Sequence, residues 1–110
     1  MKITFEVPDD SHPSSMRFYE MLADMGRLHA KKQSDYGRVG DPFANVRASE
    51  DFGVKGWVGC MIRANDKMRR LQKYAQAGNL ANESADDAFI DLAVYALIGR
   101  VLHEEESKPR

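Results

Sequence analysis

Residues 83–102 read ESADDAFIDLAVYALIGRVL, and the pattern in this stretch decides the fold. Phe89, Ile90, Ala93, Val94, Leu97, Ile98, Val101 and Leu102 recur at spacings of three and four, the period of an α-helix. Acidic residues crowd its start, where the helix dipole favours negative charge. Asn82, just ahead of them, is the expected cap. The helix is expected to run to about Glu104, with the charged end EEESKPR fraying. Its apolar band is wider than the stripe that one neighbouring helix covers.

Upstream lies a second helix, expected from about Val54 to Ala77. Val58, Met61, Ile62, Met68 and Leu71 form its apolar face, Trp57 and Tyr74 stand near its ends, and Gly78 stops it. The first helix is expected from Pro13 to about Ser34. Ser11 is its candidate cap, Phe18, Met21, Leu22, Met25 and Leu28 are its stripe, and Gly37, Gly40 and Pro42 end it. Between these helices, DYGRVGDPFANVRASEDFG (35–53) is irregular, with a short helix expected from about Phe43 to Asp51 and stopped by Gly53. Loops of this length inside a small domain are often functional. At the start of the chain, Ile3, Phe5 and Val7 alternate as in a strand, but a lone strand is marginal, so this arm is expected to be extended.

The resulting expectation is an all-α protein. Three main helices form a helical bundle, completed to a four-helix-type core by oligomerisation; a self-sufficient three-helix bundle is the alternative. An N-terminal arm (1–12), a helical domain (13–106) and a disordered tail (107–110) complete the division. Hydrophobic residues make up 43% and charged residues 30%, which excludes a disordered chain. No apolar run reaches a membrane-spanning length, and the start lacks the apolar core of a secretion signal. A single cysteine, Cys60, forms no internal disulfide and fits a reducing compartment. A cytoplasmic location follows as the expectation. The net charge of -1 predicts no direct nucleic-acid binding, and the lack of a long apolar run predicts no membrane partner.

Three groups of residues carry candidate chemistry. Glu83, Asp87 and Asp91 are four apart and share one face of the third helix. Like charges at that spacing repel by about 0.2–0.5 kcal/mol per pair. A divalent cation would reverse the sign, since Mg²⁺ takes carboxylate oxygens together with substrate phosphates. The first acids of a helix need no such explanation, but Asp91 lies between Ile90 and Leu92 and requires a metal or a basic partner. On the second helix, Arg63, Asp66, Lys67 and Arg70 share one face. Asp66 is placed to complete a metal site, and the three bases to bind phosphate oxygens. The alternative is that this basic face merely neutralises the acidic one.

The third group ends the first helix and enters the loop. Lys31 and Lys32 are candidate phosphate ligands, although bases at a helix C-terminus are favourable in their own right. Asp35 and Tyr36 are candidates to contact a sugar or base. Phe43 is a stacking or core residue, and Asn45 is an amide able to read a base edge. Glu20 and Asp24 read as a solvated face.

The order DYG, DPFANVR, IRANDKMRRL, ESADDAFIDLAVYAL resembles small phage-type proteins of the MazG-like, all-α nucleotide pyrophosphohydrolase superfamily and the related nucleotide-modification-associated domains. The likeness covers about residues 15–104, and DLAVYAL (91–97) is its most specific part. It implies a homodimer or homotetramer that uses Mg²⁺, with Mn²⁺ as an alternative, to cleave a nucleoside triphosphate into monophosphate and pyrophosphate. It places Asp91 at the last acid of the family's ExxD motif. Ala88 stands where the first of that pair belongs, with Asp87 as its substitute. The Glu-rich motif of the preceding helix is represented by Asp66 alone, among Arg63 and Lys67. Asp66, Asp87 and Asp91 are thereby the catalytic candidates, with Glu83 as a further metal ligand. A non-catalytic nucleotide-binding protein and a structural helical adaptor are the other functions these residues allow.

Overall fold

The computed structural model describes residues 1–35, 40–79 and 84–108, without the side chains at 34 and 35. All regular structure in it is helical: α1 (Pro13–Asp35), α2 (Ala44–Arg47), a 3₁₀ turn (Ala48–Phe52), α3 (Gly56–Ala77) and α4 (Ala85–Ser107). No strand forms among the described residues, and none of the helices is long and apolar enough to cross a membrane. The chain divides into two compact units, Met1–Gly37 and Arg38–Arg110.

In the first unit, Pro13 opens α1 because its missing N–H costs nothing there. His12, rather than the expected Ser11, provides the cap. The Ser14 amide donates to His12 Nδ1 at 3.1 Å, and the Met16 amide to the His12 carbonyl at 3.0 Å. Ser11 instead donates its hydroxyl to the Pro8 carbonyl at 2.6 Å, closing the turn that leads into the helix. The extended arm reaches α1 through Phe5, whose ring meets Tyr19 edge-on at 5.8 Å. Glu20 and Asp24 are paired with Arg17 and Arg27 on exposed surface.

The second unit is built on the antiparallel pair α3 and α4. Their contact differs from the one the apolar stripes suggest. The residues buried in the two helices are small ones, Gly56, Gly59, Cys60 and Ala64 on α3 and Ala88 and Gly99 on α4, with Leu102 as the one large side chain. A Cβ on Gly99 would lie 2.9 Å from Met61 Cε, so the glycine permits close approach. Met61, Ile62, Met68, Phe89, Ile90, Leu97 and Val101 are all exposed to a substantial degree. Periodicity identified an apolar side of each helix but not which part of it the partner covers.

α2 and the 3₁₀ turn lie over the start of α3. Val46 joins Cys60 and Leu102 in the buried cluster, with Phe43, Trp57 and Ile98 packed against it. A Cβ on Gly59 would sit 2.5 Å from Ser49 Oγ, so glycine there lets the turn rest on the helix. Gly53 ends the turn and Gly78 ends α3, both in the left-handed region that favours glycine. The helix expected over Phe43 to Asp51 is therefore present as an α-turn followed by a 3₁₀ turn.

Ser84 caps α4, accepting a hydrogen bond from the Asp87 amide at 3.1 Å, in place of the expected Asn82, which lies outside the described residues. α4 continues to Ser107, past the expected end at Glu104. Three acids at a helix C-terminus oppose the dipole. Here Arg47 holds Glu105 at 2.6 Å and Lys55 holds Glu106 at 2.6 Å, which offsets that cost.

Candidate functional site

The register of the α3/α4 pair brings Lys67 opposite Asp91. Lys67 Nζ lies 3.0 Å from Asp91 Oδ2, with 15% of the lysine side chain and 40% of the aspartate side chain exposed. The aspartate in the apolar stretch thus has the partner that its position required.

The other residues of the α3 face gather beside this contact. Asp66 lies one position before Lys67 and pairs with Arg70 at 3.4 Å, with 61% of the Asp66 side chain exposed. An exposed pair one turn apart contributes only about 0.3–0.5 kcal/mol, so Asp66 is loosely held. Arg63 donates to the Asn45 carbonyl at 3.1 Å, tying α2 to the α3 face. The Asn45 side chain is exposed. The ring of Phe43 packs against the buried cluster. Asp87 is exposed one turn ahead of Asp91.

Not every candidate falls on this face. Lys31 and Lys32 are exposed near the end of α1, in the first unit. Asp35 is the last residue of α1, and its side chain lies outside the described set, as do Tyr36 and Glu83. Comparison with family models, with curated proteins and with solved structures finds no match to this chain. Its function must therefore be argued from these residues.

Among the described residues no group of three His, Cys, Asp or Glu side chains is arranged to enclose a metal ion. Magnesium does not need such a cage, because it is commonly held by one or two carboxylates with water and substrate phosphates completing the shell. Asp87 and Asp91 provide two hard oxygen donors on successive turns, and the Lys67 ammonium already places positive charge against one of them.

A second polar group, which the sequence reading did not single out, occupies the other end of the helix pair. Arg47 bridges Asp41 and Glu105, at 2.7 and 2.6 Å. Its Nε faces Asp41 off the N–H axis, so that contact is ionic rather than a hydrogen bond. The hydrogen bond to Glu105 raises the Arg47 pKa, against the opposing effect of burial. A cavity of about 300 Å³ opens beside it, lined by Arg47, Glu50, Lys55, Trp57 and Glu106 among others. The Trp57 and His103 rings meet edge-on at 5.6 Å. The sequence signal for this cluster was available in Glu104–Glu106, a run of acids that a helix C-terminus tolerates only with bases nearby.

The Lys55 ammonium, by hydrogen bond and by charge, holds the Glu106 carboxyl below its ordinary value of 4.5. A carboxyl depressed by folding contributes stability above its unfolded pKa, and loses it as pH falls through the lower folded value. Glu106→Gln should therefore lower the melting temperature slightly at neutral pH, by an amount that shrinks as the solution is made acidic. Thermal melts of both proteins across that range test this. A difference that persists in acid would mean that the side chain acts through packing.

Proposed function

We propose that the chain is a Mg²⁺-dependent nucleoside triphosphate pyrophosphohydrolase, converting a (d)NTP to the monophosphate and pyrophosphate. The observation that carries this reading is the meeting of Lys67 with Asp91, which sets the acidic face of α4 against the basic face of α3. Phosphate chemistry needs both signs at one place. Carboxylates hold a divalent cation, and bases neutralise the oxygens on which charge builds up.

Asp87 and Asp91 would hold the ion, with Asp66 and Glu83 as further donors. The bound ion would polarise the α-phosphate and lower the pKa of the attacking water. Arg70 and Arg63, both carrying forked guanidinium donors, are suited to the β- and γ-phosphate oxygens. Asn45 meets Arg63 through its backbone carbonyl, and its exposed amide would contact the sugar or base. The exposed apolar side chains Phe89, Leu97 and Val101 support a homodimer or homotetramer that completes the core.

The test is to incubate the protein with each NTP and dNTP plus Mg²⁺ and to follow pyrophosphate. Release with one or more of them is expected, and none from folded protein overturns the enzyme. A second reading, nucleotide binding without hydrolysis, is favoured by the fact that Asp66 and Asp91 are both engaged by bases. It predicts nucleotide binding by calorimetry that survives EDTA, with no pyrophosphate formed.

A further inference from the structure

The cavity of about 300 Å³ beside Arg47 lies at the other end of the α3/α4 pair from Lys67 and Asp91, and the nucleotide reading makes no use of it. Small-molecule sites begin at about this volume. Trp57, Val54 and the buried Leu102 give the cavity apolar wall. The charged part of its lining holds two bases, Arg47 and Lys55, and three acids, Glu50, Glu105 and Glu106.

Both bases are committed. Arg47 is held by Glu105 at 2.6 Å and by Asp41 at 2.7 Å, and Lys55 is held by Glu106 at 2.6 Å. Glu50 is the acid left over. Among the described residues its carboxylate makes no ion pair and accepts no hydrogen bond. Its Oε1 would lie 3.1 Å from a Cβ on Gly56, which sets the carboxylate against the first residue of α3. The dipole of that helix offers it only about half a unit of positive charge. An anion entering the cavity would have to break short ion pairs and would face Glu50 unscreened. A cation has only water to displace from Glu50.

We infer that this cavity binds a small organic cation, a guanidinium or ammonium group on a short apolar stem. Glu50 supplies the counter-charge, and Trp57 and Leu102 flank the stem. A guanidinium suits a free carboxylate best, because its forked donors match the two oxygens. The pairs Arg47–Glu105 and Lys55–Glu106 stay closed and hold the wall in place. The inference does not rest on nucleotide hydrolysis, and the pyrophosphate assay has no bearing on it.

Trp57 is the single tryptophan of the chain, so its fluorescence reports on this cavity alone. The full-length protein is titrated at constant ionic strength with n-butylguanidinium, n-butylammonium and, as an anion of similar length, butyrate. The indole N–H signal of Trp57 in an NMR spectrum gives a second reading. Butylguanidinium should give a saturable change with a Kd of about 1 mM, within the range a ligand of that size reaches. Butylammonium should bind more weakly, and butyrate should give no saturable change. Glu50→Gln should weaken butylguanidinium by about tenfold or more, as expected for the loss of a charge-assisted hydrogen bond.

If neither cation gives a saturable change in either signal, up to about twenty times that Kd, the site is overturned. Butyrate binding as tightly as the cations overturns the sign of the ligand. Undiminished binding by folded Glu50→Gln overturns the role of Glu50. Circular dichroism establishes that the variant is folded; should it not be, Glu50→Ala takes its place with the same outcomes.

Discussion

Replacing Asp91 by asparagine is expected to abolish pyrophosphate release and leave the helices in place. Asparagine matches the aspartate in size and can still accept a hydrogen bond from Lys67 through its amide oxygen, so the packing of α4 is retained. What disappears is the formal charge that a divalent ion requires. Changes to groups that merely orient metal ligands cost about 10–100-fold in affinity or activity. Removal of a ligand should cost more, about 10²-fold or greater in kcat/KM at saturating Mg²⁺. The stability cost should stay within about 1 kcal/mol, because the carboxylate is 40% exposed and water screens the pair. Steady-state kinetics beside circular dichroism and a denaturant melt separate the two effects. An asparagine variant that turns over at the wild-type rate would reduce Asp91 to a structural partner of Lys67.

The largest effect on stability is expected from Leu102→Ala. Leu102 is 4% exposed and is the one large side chain of α4 in the buried cluster, where it meets Val46 and Cys60. Its Cδ1 would lie 3.1 Å from a Cβ on Gly56, so it fills the space under the first turn of α3. Truncating a buried leucine removes the transfer free energy of its methyl groups and leaves a void, costing about 2–5 kcal/mol. The small buried cluster leaves few other contacts to compensate. Urea unfolding followed by circular dichroism measures the loss as a fall in midpoint at unchanged slope. A loss below about 1 kcal/mol would mean that α2 and the 3₁₀ turn relax onto the shortened side chain.

Comparison of the sequence with the structure shows where local chemistry was informative. Pro13, Gly53 and Gly78 each mark a helix boundary because their backbone rules act within one residue. The cap of α4 was misplaced by two residues because Asn82 and Ser84 are both good caps. The deciding feature is the amide three residues after the serine, an S-x-x-D spacing akin to a capping box. The need for a partner at Asp91 was legible from its apolar neighbours, but the identity of that partner depended on the register of two helices. No local rule supplies that register. The same limit hid the contact between Arg47 and Glu105, which lie 58 positions apart. It also hid the choice of glycine and alanine, rather than the large apolar residues, for the helix contact.

That seam of small residues has an evolutionary consequence. The frame is secured by backbones in close apposition, along a line that includes Cys60, Ala64, Ala88 and Gly99. The charged positions beside it contribute little to holding the helices together. On the proposed nucleotide-binding reading, substitutions at the exposed Asp66 or Asp87 can therefore accumulate with little penalty in folding, so that the phosphorylated ligand can change while the seam stays fixed.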